Sequence, residues 1–149
     1  MRMTVNREMF AEIHTLLIEF PELHRQASWE TDPGSTGNCG TTRCIAGWAT
    51  WIGARDAGLL MKKRQMTSPG IRTELAAHLG LVKEDIDPCL SEYETHDYAV
   101  IGARLLGLSG QEAHSLFMDL YDERVLARVK SFAETGEDIS DEEYDRYGD

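Results

Sequence analysis

No run of apolar residues in this sequence approaches the roughly 20 needed to cross a bilayer. Its longest uncharged apolar stretch, Cys44 to Ala54, is bracketed by Arg43 and Arg55. The opening residues, "MRMTVNREMFAEIH", carry Glu8 and Glu12 where an export signal would need an apolar core. The expectation is therefore a reducing, cytoplasmic setting with no membrane partner. An alternating apolar–polar pattern of strand length is also missing. Cysteine is scarce and odd in number, three in all, which in a reducing compartment reads as free thiols or metal ligands rather than bridges. Positive charge is short as well. Fifteen Lys and Arg face 26 Asp and Glu, for a net charge of −11, and Glu134 to Asp149 alone holds eight acids against one Arg. A chain of this sign repels phosphates, so nucleic acid is a disfavoured partner.

What is present is helical periodicity. A chain of 149 residues can bury a core without staples. Met9, Phe10, Ile13, Leu16, Leu17 and Phe20 share one helical stripe, with Asn6 placed as N-cap and Pro21 ending the run. "SWETDPGSTGNCG" reads as a surface loop with Trp29 turned toward the core. A second helix is expected from Thr41 or Thr42, capped by one of them, to about Ala57, with Gly58 closing it. Gly47 inside it calls for close approach of another backbone. Trp48 belongs in the core and Trp51 at its edge. Ser68-Pro69 suits a further helix start. "AAHLGLVKEDIDPCL" from Ala76 then matches "ARLLGLSGQEAHSLF" from Ala103 at an offset of 27. Each describes a helix stopped at Gly80 or Gly107, a latch at Leu81 or Leu108, and a second helix. In the later copy Ser109 and Glu112 form a capping box. A long helix with the stripe Ala113, Leu116, Phe117, Leu120, Val125, Val129 and Phe132 follows, ended by Gly136. The expected architecture is all-α: a bundle of about five helices with two helical hairpins in residues 1–135. An acidic, mobile tail would follow over 136–149.

Chemistry-bearing residues gather in "NCGTTRCIAGWA". Cys39 and Cys44 have C-x4-C spacing, at the loose edge of zinc knuckles, and no second tight pair exists. Zinc is thus an alternative only if Cys89 and one of His14, His24, His78, His96 or His114 complete the set. Cys44 beside Arg43 in a helix's first turn would have a depressed thiol pKa. Cysteine catalysis further needs a base, for which His96 beside Asp97 is the candidate, although Asp97 is equally an N-cap. The competing reading makes Cys44 a small packed apolar residue. No catalytic set and no metal set is complete, and no cofactor is expected.

"CGTTRCIAGWA" and "LLGLSGQEAHSLF" together resemble a group of small actinobacterial and actinophage proteins. These carry a C-G-T-x-x-C-x-A-G segment and a later L-G-L-S-x-x-E-A-x-x-L-F segment. The resemblance covers Cys39–Ala49 and Ala103–Phe117. It implies a prokaryotic or phage source and cytoplasmic residence, and it brings no activity with it.

Ala76, Gly80 and Ile86, and again Ala103, Gly107 and Ala113, also have helix-turn-helix spacing. The second helices that would enter a groove, "KEDIDPCLSE" and "QEAHSLFMDLYDE", are acidic where Arg, Lys, Asn or Gln are needed. Lys62, Lys63 and Arg64 form a small basic connector. The leading expectation is a non-enzymatic protein-interaction role, with Trp51, Glu142, Glu143, Tyr144 and Tyr147 as partner-binding residues and a basic protein surface as the partner. If the source is a phage, that partner is a host factor.

Overall fold

The computed structural model describes residues 4–21, 30–31, 42–60, 67–119 and 121–147. The fold is all-α. In chain order the elements are α1 (Arg7–Glu19), β1 (Glu30–Thr31), β2 (Thr42–Arg43), α2 (Ile45–Asp56), α3 (Pro69–His78), α4 (Tyr98–Leu106), α5 (Gly110–Phe117), α6 (Asp122–Thr135) and α7 (Asp141–Tyr147). Short 3-10 turns at Lys83–Asp85 and Pro88–Leu90 lie between α3 and α4. The described residues thus hold seven α-helices where about five were expected.

Local chemistry accounts for most boundaries. Asn6 Oδ1 accepts from the Met9 N–H at 3.1 Å, and Ser68 Oγ from the Ile71 N–H at 3.3 Å with Pro69 behind it. The Ser109–Glu112 capping box is complete in both directions. The repeat has a physical origin. At Gly80 and Gly107 the backbone turns left-handed, and the next N–H reaches back five residues, Leu81 to the Ala76 carbonyl and Leu108 to the Ala103 carbonyl, each at 3.0 Å. Gly58 and Leu59 close α2 onto Ala54 in the same way. The shared Ala-x-x-x-Gly-Leu pattern is a helix stop, the six-to-one bond of a Schellman motif.

The core lies among α1, α2, α4, α5 and α6, with the most extensive pairings between α1 and α6 and between α2 and α4. Phe10 and Phe132 stack with centroids 4.7 Å apart. Fully burying such side chains contributes about 1.5–3 kcal/mol each. A smaller cluster of Ala54, Leu75, Ala76 and Ile101 seats α3. Close approach of two helices is seen beside Gly47: a Cβ on Gly102 of α4 would stand 3.1 Å from the Ala46 Cα.

Three expectations are corrected. The helix expected from Thr41 or Thr42 starts at Ile45, because Thr42 and Arg43 pair antiparallel with Thr31 and Glu30. Two-residue strands are too short to show alternation in a sequence. The first repeat has no second α-helix; Pro88 and the bonds around it leave only 3-10 turns. The long final helix is broken between Phe117 and Asp122. Within the segment expected to be a mobile tail, Asp141–Tyr147 forms α7, which touches α6 and has no buried residue.

Candidate functional site

The break between α5 and α6 exists because of a buried carboxylate. Asp119, whose side chain is fully buried, accepts from the Tyr121 N–H at 3.1 Å and takes both arms of Arg124, at 2.7 and 2.8 Å. Arg128, one turn further along α6, donates to the same carboxylate at 3.1 Å. A continuous helix would carry the Asp119 side chain along its own axis, away from the N–H two residues on. The turn lets one carboxylate serve the backbone and two guanidinium groups.

Arg128 is 1% exposed and every one of its N–H groups has an acceptor. Nε and Nη2 reach Asp138 at 3.1 and 2.7 Å, Nη1 reaches the Ser115 carbonyl and Asp119, and Nη2 also reaches Ser115 Oγ at 2.8 Å. Five donors on one planar group are therefore satisfied. The four charges of Asp119, Arg124, Arg128 and Asp138 cancel. Burial alone would push the Asp119 carboxyl up. Hydrogen bonds from Arg124, the Tyr121 N–H and Arg128, with the Arg124 charge, outweigh that and hold it below its usual value.

This network carries α7. Asp138 lies in the segment leading into it, and Ser140 Oγ caps it by accepting from the Glu143 N–H at 3.1 Å. Tyr144 comes off α7 onto the arginines. The Arg124 guanidinium lies 4.0 Å from the Tyr144 ring and 4.7 Å from the Tyr121 ring, with Arg128 5.3 Å from Tyr144. Asp141, Glu142 and Asp145 are left exposed along the outer side of α7, and the Glu142 side chain is 85% exposed. Its 3.6 Å pair with Arg146 is an exposed i,i+4 contact of about 0.3–0.5 kcal/mol. Met118 and Tyr121, at the junction of α5 and α6, and Tyr147, at the end of α7, are exposed apolar or aromatic side chains.

The partner-binding candidates thus divide. Glu142 and Tyr147 are exposed, and Glu143 is half-buried. Tyr144, expected as an outward anchor, is spent on the arginines. Trp51 sits half-buried at the core edge beside Trp48, its ring 5.5 Å from Arg55, which is tied to Glu12 at 2.6 Å. Asp119, Arg124, Arg128 and Asp138 were not singled out from sequence. Ser140 three residues before Glu143 was a legible capping signature. Asp119 left only the weaker trace of an acid on an otherwise apolar stripe.

The thiol candidates come apart. Cys39 lies outside the described residues, as do His24 and the basic Lys62, Lys63 and Arg64. Cys44 occupies the N-cap of α2, taking the position expected for Thr41 or Thr42, and its Sγ accepts from the Gly47 N–H at 3.5 Å. It is 1% exposed, the packed arrangement. Cys89 is exposed on the turn before α4, where local desolvation and the Asp87 carboxylate push its thiol up rather than activating it. His96 is held by its carbonyl, which accepts from Arg72 Nε at 3.1 Å. Asp97 is the N-cap residue of α4, but its carboxylate accepts from the Glu94 N–H instead of capping the helix. Among the described residues no three His, Cys, Asp or Glu side chains converge to hold a metal ion. No helix there is long and apolar enough to cross a membrane.

Comparison with protein-family models, curated proteins and solved structures finds no match. The reading of this chain therefore rests on its own residues. Of the two helix-turn-helix candidates, the first lacks its second helix. The second, α4–α5, has the turn, and α5 leaves Gln111 and His114 exposed and holds no Lys or Arg.

Proposed function

We propose that this protein acts without catalysis, by binding another protein through the acidic edge of α7. Asp141, Glu142 and Asp145 supply the charge, and the exposed Tyr121 and Tyr147 supply aromatic contact. The partner presents a basic surface. Such a surface could be one that itself meets nucleic acid, which this protein would then occlude. The reading extends to a cytoplasmic role and, for a phage source, to a host factor as partner.

One observation carries the reading: the clasp of Arg124 between Tyr121 and Tyr144. It holds a highly charged segment in one arrangement before any partner arrives. Ordering a loose tail on binding would cost conformational entropy that a fixed helix does not lose again. Exposed acids over a buried neutral network also create a field that steers a basic partner and suppresses acidic ones.

The test reverses charge at Asp141, Glu142 and Asp145 to Lys, leaving Asp138 and Tyr144 intact so that the clasp survives. Binding partners are captured from a lysate of the source cell at low and high salt. The expected result is a partner retained by the unaltered protein at low salt, weakened by salt, and lost with the triple variant. Capture unchanged by both salt and charge reversal overturns the reading.

A further inference from the structure

A recess lies at the start of α5, between the two repeated helix stops and lined from Gly80 to Leu90 and from Val100 to Glu112. It has a volume of about 390 Å³ and is partly open to solvent. Leu90, Val100, Ala103 and Leu108, all buried, form its floor. This falls within the size range of pockets that hold a ligand or an anchoring side chain, about 300–1,000 Å³. The walls are preformed. Asp87 links the 3-10 turn to the start of α5, accepting from the Gly110 N–H at 3.1 Å and from the Cys89 N–H at 2.9 Å. A Cβ at position 110 would overlap the Asp87 carboxylate, so glycine is what lets the two walls meet.

The charge around the recess is one-sided. Asp85, Asp87 and Glu112 line it against Arg104 alone. Asp87 and Glu112 accept from the Gly110 and Ser109 N–H groups at 3.1 and 3.0 Å. Asp85 is exposed; its backbone N–H donates to the Val82 carbonyl at 3.1 Å, while its carboxylate has no hydrogen bond or ion pair among the described residues. Val82, 46% exposed, forms an apolar lip. A negative mouth over an apolar floor selects an apolar group next to a cation.

We propose that this recess is a docking site for a peptide segment of a partner protein, in which an apolar side chain fills the floor and a flanking Lys or Arg meets Asp85. The site uses none of the residues of the α7 edge. It is independent of that reading, although a basic partner could engage both.

The experiment is a titration of the isotopically labelled full chain, followed by amide NMR shifts at Leu81, Ala103 and Leu108. The probes are the blocked tripeptides Lys-Leu-Lys and Glu-Leu-Glu and N-acetyl-leucine amide. Lys-Leu-Lys is expected to give saturable shifts at these amides, binding about tenfold more tightly than Glu-Leu-Glu at low salt. Asp85→Lys, on an exposed turn, should remove that preference, and Ala103→Met should weaken all three probes by filling the floor. The triple charge reversal on α7 should change nothing here. The inference is overturned if no probe gives saturable shifts at these amides. It is equally overturned if Glu-Leu-Glu or the uncharged amide binds as well as Lys-Leu-Lys, the latter making the recess a simple apolar small-molecule site. Loss of the Lys-Leu-Lys preference in the α7 variant would overturn it too, because attraction to the whole acidic chain would then explain the shifts. Survival of that preference in Asp85→Lys does the same without depending on whether Ala103→Met folds.

Discussion

Asp138, ten residues beyond Arg128, grips that buried guanidinium with both carboxylate oxygens, the shortest contact being 2.7 Å. The pair joins the acidic C-terminal segment to the interior of the bundle. It converts α7 from an appendage into part of the fold.

Removing that grip leaves Arg128 with Asp119 and Ser115 but without its outer acceptor. Asp138→Ala is expected to destabilise the protein by about 1–3 kcal/mol, the range for a buried polar group left unsatisfied. It should also open the 136–147 segment to proteolysis before the rest of the chain unfolds. A urea melt and a timed limited digestion check both effects. Cleavage in that segment at the unaltered rate would show that the pair does not hold α7.

Asp119 contributes stability that depends on pH with a definite sign. Its folded-state value is held below the ordinary one, so its contribution is complete above about pH 4, near the unfolded value, and is lost as pH falls through the folded value. At neutral pH Asp119→Ala should cost about 3–5 kcal/mol, because two buried arginines lose a shared partner. The gap in urea midpoint between unaltered and Asp119→Asn protein should be constant from pH 7 to 5 and narrow toward pH 3. A gap that widens as pH falls contradicts the network described.

Gly80 and Gly107 share a sequence pattern and a positive φ, yet they differ in what surrounds them. A Cβ at Gly80 meets nothing, whereas one at Gly107 would overlap the Thr4 carbonyl of the segment leading into α1. The Asn6 N–H and side chain fix that segment onto the Leu106 and Leu105 carbonyls at 2.8 and 3.0 Å. Gly80→Ala should cost about 1–2 kcal/mol for the left-handed backbone alone. Gly107→Ala should cost about 1–3 kcal/mol more through the overlap. Equal thermal shifts for the two variants would show that the Thr4 contact yields freely.

Iodoacetamide labelling followed by peptide mapping separates the thiols. Cys89 should label in the native protein, slowly near neutral pH and faster as pH rises, because its thiol is pushed up. Cys44 should label only after denaturation. Native labelling of Cys44 near pH 6 would restore the activated-thiol reading that its burial argues against.

The sequence by itself determined the local grammar of this protein. The stripe from Met9 to Leu17, the caps at Asn6, Ser68 and Ser109, and the stops at Gly58, Gly80, Gly107 and Gly136 rest on residues within a few positions of one another. Each is decided by backbone sterics or a short hydrogen bond that adjacent side chains dictate. The tertiary structure decided everything that depends on distant partners. It set the strand pair ahead of α2, the break at Asp119, the docking of α7 and the recess between the repeats. A lone Asp on an apolar stripe and a string of acids at the end of a chain have no fixed meaning alone. Desolvation makes a buried charge costly, and only a fold that brings Arg124, Arg128 and Asp138 to Asp119 can turn that cost into structure.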